Sequence, residues 1–168
     1  MRSLRHGRVV AAALAAASIV AGAGLGSGTA HAAPTSQNGY PLITQAQTVQ
    51  WSVNGVNFWT APGPATEKLQ AFVTWFDATI EPVSLGNGDD WSWAEPALVP
   101  PSNVTYSNHG SGTAIDLNME LHLGQGGIGT FTPEQATAIT AKAAELGLVW
   151  GGSWTDIPDE PHLELLPL

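Results

Sequence analysis

Beyond residue 32 the chain has three histidines: His109, His122 and His162. A segment this acidic has little need of histidine for solubility, so each setting matters. His109 and Asp116 stand seven positions apart, across a glycine-rich turn that leads into a predicted strand. His162 opens a predicted final strand. Two imidazoles and one carboxylate are a donor set that zinc accepts, with a fourth position left for water. Zinc–ligand bonds of about 2.0–2.1 Å would require the two segments to meet. By spacing alone, each of these residues reads more readily as a satisfied histidine or a turn aspartate than as a ligand. Cysteine is absent, so a metal site here must use histidine and carboxylate, and no disulfide staples the fold.

The elements that would position these residues are legible in part. Trp51 to Phe58 alternates apolar and polar residues on both sides of Asn54-Gly55. That pair suits the positive φ of a tight hairpin turn. A helix is predicted over about residues 65–79, where Leu69, Phe72, Val73 and Phe76 form one apolar stripe. Residues 83–108 carry little periodicity and read as a long surface connection, of the kind that tends to be functional. A short strand follows over about Gly112 to Asn118. The second helix has clear ends: Thr132 as N-cap, Pro133 at the first turn, Gln135 completing a capping box, and Gly147 as the stop. Its Ala136, Ile139, Ala143 and Leu146 face the core. His162 to Leu165 reads as a closing strand, and residues 33–48 as a loose lead. With no internal repeat and no second boundary, the expectation is one small α+β domain at residues 49–168.

Composition narrows the setting. Arg2, Arg5 and Arg8, an apolar run from Val9 to about Leu25, and Ala30-His31-Ala32 have the layout of a secretory signal peptide, with removal expected near Ala32. The 136 residues that follow suffice for one domain with a core. They keep two lysines, Lys68 and Lys142, against all 14 acids. So negative a surface repels nucleic acid and anionic lipid, and no nucleic-acid or membrane partner is expected after processing. A secreted or wall-associated monomer is the expectation.

The wording around the histidines is more specific than their spacing. Ser107 to Asp116 fits S-x-H-x-x-G-x-A-x-D at every fixed position. Downstream, Trp150-Gly151-Gly152-Ser153-Trp154 precedes Asp159-Glu160-Pro161-His162. Together these resemble the VanY-like family of zinc D-alanyl-D-alanine carboxypeptidases and L-alanyl-D-glutamate endopeptidases, over roughly residues 70–165. The resemblance implies zinc held by His109, Asp116 and His162, and a catalytic acid/base at Asp159. It also implies a Hedgehog/DD-peptidase-like α+β fold, its ligands lining a cleft on a central antiparallel sheet with flanking helices. The substrates it implies are the stem peptides of peptidoglycan.

Elementary chemistry supports these roles. Zinc brings the pKa of bound water to about 7, and a nearby carboxylate can carry the proton to the departing amine. Positions 159 and 162 converge only if the chain bends before Pro161. Glu160 is the alternative base. Ser107 reads either as a turn cap or as a partner of ligand or substrate, and Gly112 as a site of close backbone approach. Glu164 shares a strand face with His162 and could orient a ligand, or else is a plain surface acid. His122 reads as a loop histidine outside the site. Trp91, Trp93, Trp150 and Trp154 read as core and rim packing, with ring stacking on substrate as the alternative. The family's arginine upstream of the first motif has no counterpart, since residues 93–105 contain neither arginine nor lysine. Loss of one oxyanion donor can cost about 10²–10³ in rate.

Overall fold

The computed structural model describes residues 33–83, 89–99, 105–122, 124 and 126–168. The expected leader at 1–32 and parts of the long connection lie outside the described residues. Strands β1 (Val49–Val53) and β2 (Val56–Thr60) form the hairpin, with Asn54 and Gly55 both at positive φ in its turn. Helix α1 (Pro64–Thr79) follows, then strand β3 (Ala114–Asp116), helix α2 (Pro133–Leu146), and strands β4 (Leu148–Trp150) and β5 (His162–Leu165). The second sheet is antiparallel in the order β3-β5-β4. The fold is therefore α+β.

Local sequence explains the helix ends. Thr132 accepts from the Gln135 amide while the Gln135 side chain returns to the Thr132 amide, which satisfies two orphan donors. Gly147 adopts the left-handed conformation that stops α2. The stripe Leu69, Phe72, Val73 and Phe76 of α1 is buried, with Ile139 and Ala143 of α2 and Ile115, Leu148, Leu163 and Leu165 of the sheet in the same cluster. Truncating one such side chain to alanine costs about 2–5 kcal/mol. Side chains alternate across β5, so Leu163 and Leu165 serve the core while His162 and Glu164 share the opposite face.

Two expectations change. β4 was not anticipated: three residues behind a helix stop are too few to show a period, and pairing with β5 makes them a strand. Residues 33–48 are not a loose lead. Asn38 is 2% exposed; its side-chain Nδ2 donates to Thr113 Oγ1 at 2.9 Å and to the Leu165 carbonyl at 3.3 Å. The Gln37 amide donates to the Tyr106 carbonyl and the Ile43 amide to Gly110, which straps this segment along the first motif. A polar stretch without periodicity reads as unstructured when its partners lie some 70 residues away.

Candidate metal centre

Sheet register makes the first pairing. Asp116, the last residue of β3, lies directly across from His162, the first of β5. His162 Nδ1 is 2.9 Å from Asp116 Oδ1. His109 comes from a 3₁₀ turn, Asn108–Ser111, that Gly112 ends at φ +66. A Cβ at Gly112 would stand 2.6 Å from the Ala61 amide, so close approach to the hairpin demands glycine there. The turn delivers His109 Nε2 to 3.3 Å from Asp116 Oδ2. The imidazole centroids are 5.2 Å apart at 72°. One ligand atom from each of His109, Asp116 and His162 lies within 4.8 Å of the others.

The outward sides of both rings are anchored. His109 Nδ1 is 2.7 Å from the Ser92 carbonyl oxygen, which can only accept, so Nδ1 carries the proton. His162 Nε2 is 3.0 Å from Glu164 Oε2 and donates to it. Both rings thus spend an N–H away from the cluster and turn the other nitrogen toward Asp116. Carboxylate and carbonyl acceptors behind metal-ligating imidazoles orient rings in this way. The donor set, the spacing and the ring orientation together fit a divalent metal.

Charge is concentrated here. Burial opposes ionisation of Asp116, yet its contacts with the imidazoles of His109 and His162 hold its carboxyl well below the usual range. Burial would lower His162 as well, but the hydrogen bonds and charges of Asp116 and Glu164 outweigh it and push the imidazole up to about 10. Without metal, His162 is a cation clamped between two carboxylates. Burial, together with the negative Asp116, raises the Asp159 carboxyl, while His162 and His109 pull it back.

Asp159 and the three candidate ligands line one cleft of about 910 Å³, with Trp91 and Trp154 on its walls. The bend that permits this is a turn in which the His162 amide donates to the Asp159 carbonyl at 3.2 Å, and the Asp159 amide to the Gly151 carbonyl at 3.0 Å. A Cβ at Gly151 would overlap the Asp159 carbonyl and press His162 Cβ at 3.1 Å. The tryptophan–glycine motif therefore seats the turn that carries both residues.

Glu160, the alternative base, is turned away from the cleft. It is 5% exposed, and its carboxylate accepts from the Gly129 amide at 2.7 Å, the Thr130 amide at 3.1 Å and the Thr130 hydroxyl. Neighbours in a tight turn point to different sides, which sequence alone leaves ambiguous. Ser107 caps the 3₁₀ turn by accepting the His109 amide at 3.3 Å, and it also borders the cleft. His122 lies in a loop outside the cluster and is buried there, with Nε2 2.6 Å from Glu81, Nδ1 2.9 Å from Thr130 Oγ1 and its ring on Phe131 at 3.7 Å. Trp150 is core and donates to the Glu160 carbonyl. Trp93 donates to the Ile43 carbonyl. Trp91 is 54% exposed, and Trp154 lies 5.3 Å from His162.

Sequence reasoning missed Ser92 and Asn108. Ser92 sits between Trp91 and Trp93, where the Trp91 backbone pairs with Asp116 and the Trp93 amide donates to Trp59. A backbone carbonyl leaves no trace in residue type. Asn108 occupies a free position of the first motif, yet it is 2% exposed.

Residues 101–165 match the family model described as D-alanyl-D-alanine carboxypeptidase. The matched stretch contains both motifs and all four cleft residues above, and it supports peptidase activity. No solved structure matches the chain.

Proposed function

From the likeness of residues 101–165 to D-alanyl-D-alanine carboxypeptidases as premise, we propose that this chain is a secreted zinc metallopeptidase that hydrolyses peptide bonds in peptidoglycan stem peptides. The observation that carries the reading is the orientation of the two imidazoles, each giving one N–H to an outer acceptor and turning the other nitrogen toward Asp116. His109 Nε2, the Asp116 carboxylate and His162 Nδ1 would hold the ion. The chemistry a bound zinc supplies is Lewis acidity, toward water and toward the scissile carbonyl. Asp159 faces the same cleft and takes a proton from the attacking water. It returns that proton to the amine that leaves as the C–N bond breaks. Partial burial keeps its carboxyl closer to neutral pH than an exposed aspartate, as such a shuttle requires. The matching signal layout at residues 1–32 supports export to the wall where such substrates lie.

The test is mass spectrometry of muropeptides after incubation with zinc-loaded protein. New peptide termini are expected, and Asp159→Ala should lower the rate by about 10²–10⁴ while zinc stays bound. Intact muropeptides with zinc bound would sink the enzymatic reading. They would favour a second one, a zinc-binding wall module without catalysis. One observation favours that reading: after Arg8 the sequence contains no arginine and only two lysines, Lys68 and Lys142, both on helices. Among the described residues, no cationic side chain but histidine borders the cleft to steady an oxyanion.

A further inference from the structure

Behind His162 runs a chain of hydrogen bonds that leaves the cleft and ends in the strap at residues 36–40. The Asn38 backbone amide donates to Asn108 Oδ1 at 2.9 Å. A backbone N–H can only donate, so this contact decides which end of the Asn108 amide is oxygen. Asn108 Nδ2 is then forced to be the donor, and it meets Glu164 Oε2. The same oxygen accepts from His162 Nε2 at 3.0 Å. Glu164 is thus held from one side by an amide and from the other by the imidazole. Asn38 and Asn108 are each 2% exposed, so water cannot replace either at little cost. Ser36 Oγ, 2.7 Å from Asn38 Oδ1, and the Asn38–Thr113 bond fix the strap in turn.

We propose that Asn108 is a positioning residue for the metal centre, oriented by the Asn38 backbone and acting on His162 through Glu164. This rests on the metal-site reading above. The first motif then does two tasks with neighbouring residues: His109 offers a ligand directly, while Asn108, one step earlier in the 3₁₀ turn, braces the other histidine from behind. Asn38 lies outside the residues that match the family model, so the strap reaches the site from beyond the matched stretch. Placing Glu164 without Asn108 would leave its carboxylate free to rotate, and the His162 ring with it.

The test is zinc affinity by competition with a chromogenic chelator, read beside the melting temperature of the metal-free protein. Asn108→Asp keeps the volume and the oxygen that takes the Asn38 amide, but removes the donor to Glu164. The added negative charge by itself would favour a cation, so weaker binding reports lost positioning. Expected is a loss of about tenfold, within the range of outer contacts to metal-ligating histidines. In a Glu164→Ala background the same change should weaken binding no further, because the path is already cut. Equal or tighter binding by Asn108→Asp, or an undiminished effect in that background, would overturn the proposal. Should Asn108→Asp not fold, the link is read from its other end. Glu164→Ala should weaken zinc by about 10- to 100-fold and Glu164→Gln, which keeps an acceptor oxygen, by less; equal losses would overturn it. Failure of the unaltered protein to bind zinc would instead refute the metal-site reading itself.

Discussion

Zinc uptake should release a proton from His162, and its affinity should climb with pH. The imidazole sits between Asp116 and Glu164, which raise it to about 10 in the metal-free protein. At pH 7.5 it is therefore charged, with a proton on Nδ1, the nitrogen proposed to take zinc. Zinc must displace that proton, and the distance from pH 7.5 to about 10 makes this cost roughly 3 kcal/mol, at 1.36 kcal/mol per unit. The cost falls by that increment for each pH unit, so affinity should rise about tenfold per unit up to about pH 10. Asp116, held below the usual carboxylate range, is ionised throughout and contributes no slope. Isothermal titration calorimetry at pH 7.5, in two buffers of different ionisation enthalpy, counts the protons. At least one should leave per zinc. A heat independent of buffer, or an affinity flat between pH 7 and 8.5, would refute the reasoning.

Other perturbations separate the parts of the site. The metal-free protein should lose stability as pH rises. A histidine raised on folding contributes fully below its unfolded value of about 6.5 and loses that contribution up to about 10; thermal melts from pH 6 to 10 with a chelator present would check it. At the acid end Asp116, depressed on folding, contributes above about 3.9 and should cost stability below that value. Gly151→Ala forces the Asp159 turn to move, so it should weaken zinc binding and cleavage together, measurable by chelator competition and muropeptide assay. Glu160→Ala strands the Gly129 and Thr130 donors in a buried place, and should cost about 1–3 kcal/mol per stranded group in denaturant melts while zinc affinity is kept.

Much of this protein is written locally. The hairpin turn at Asn54-Gly55, the stripe of α1, and the T-x-x-Q box and glycine stop of α2 act over a few residues, where propensity and hydrogen bonding decide the outcome. The motif spelling alone also brought His109, Asp116, His162 and Asp159 forward as one group. Tertiary structure decided what depends on pairing between distant segments. β4 exists because β5 lies beside it, and Asp116 meets His162 because antiparallel register sets them opposite. Asp159 and Glu160 are alike in chemistry and adjacent in sequence; only the turn against Gly151 sends one to the cleft and the other to Thr130. The strap at Asn38 and the carbonyl of Ser92 were invisible for the same reason. A hydrogen bond across 70 residues, or one made by the backbone, depends on where the chain returns and leaves no mark on the identity of the residues that make it.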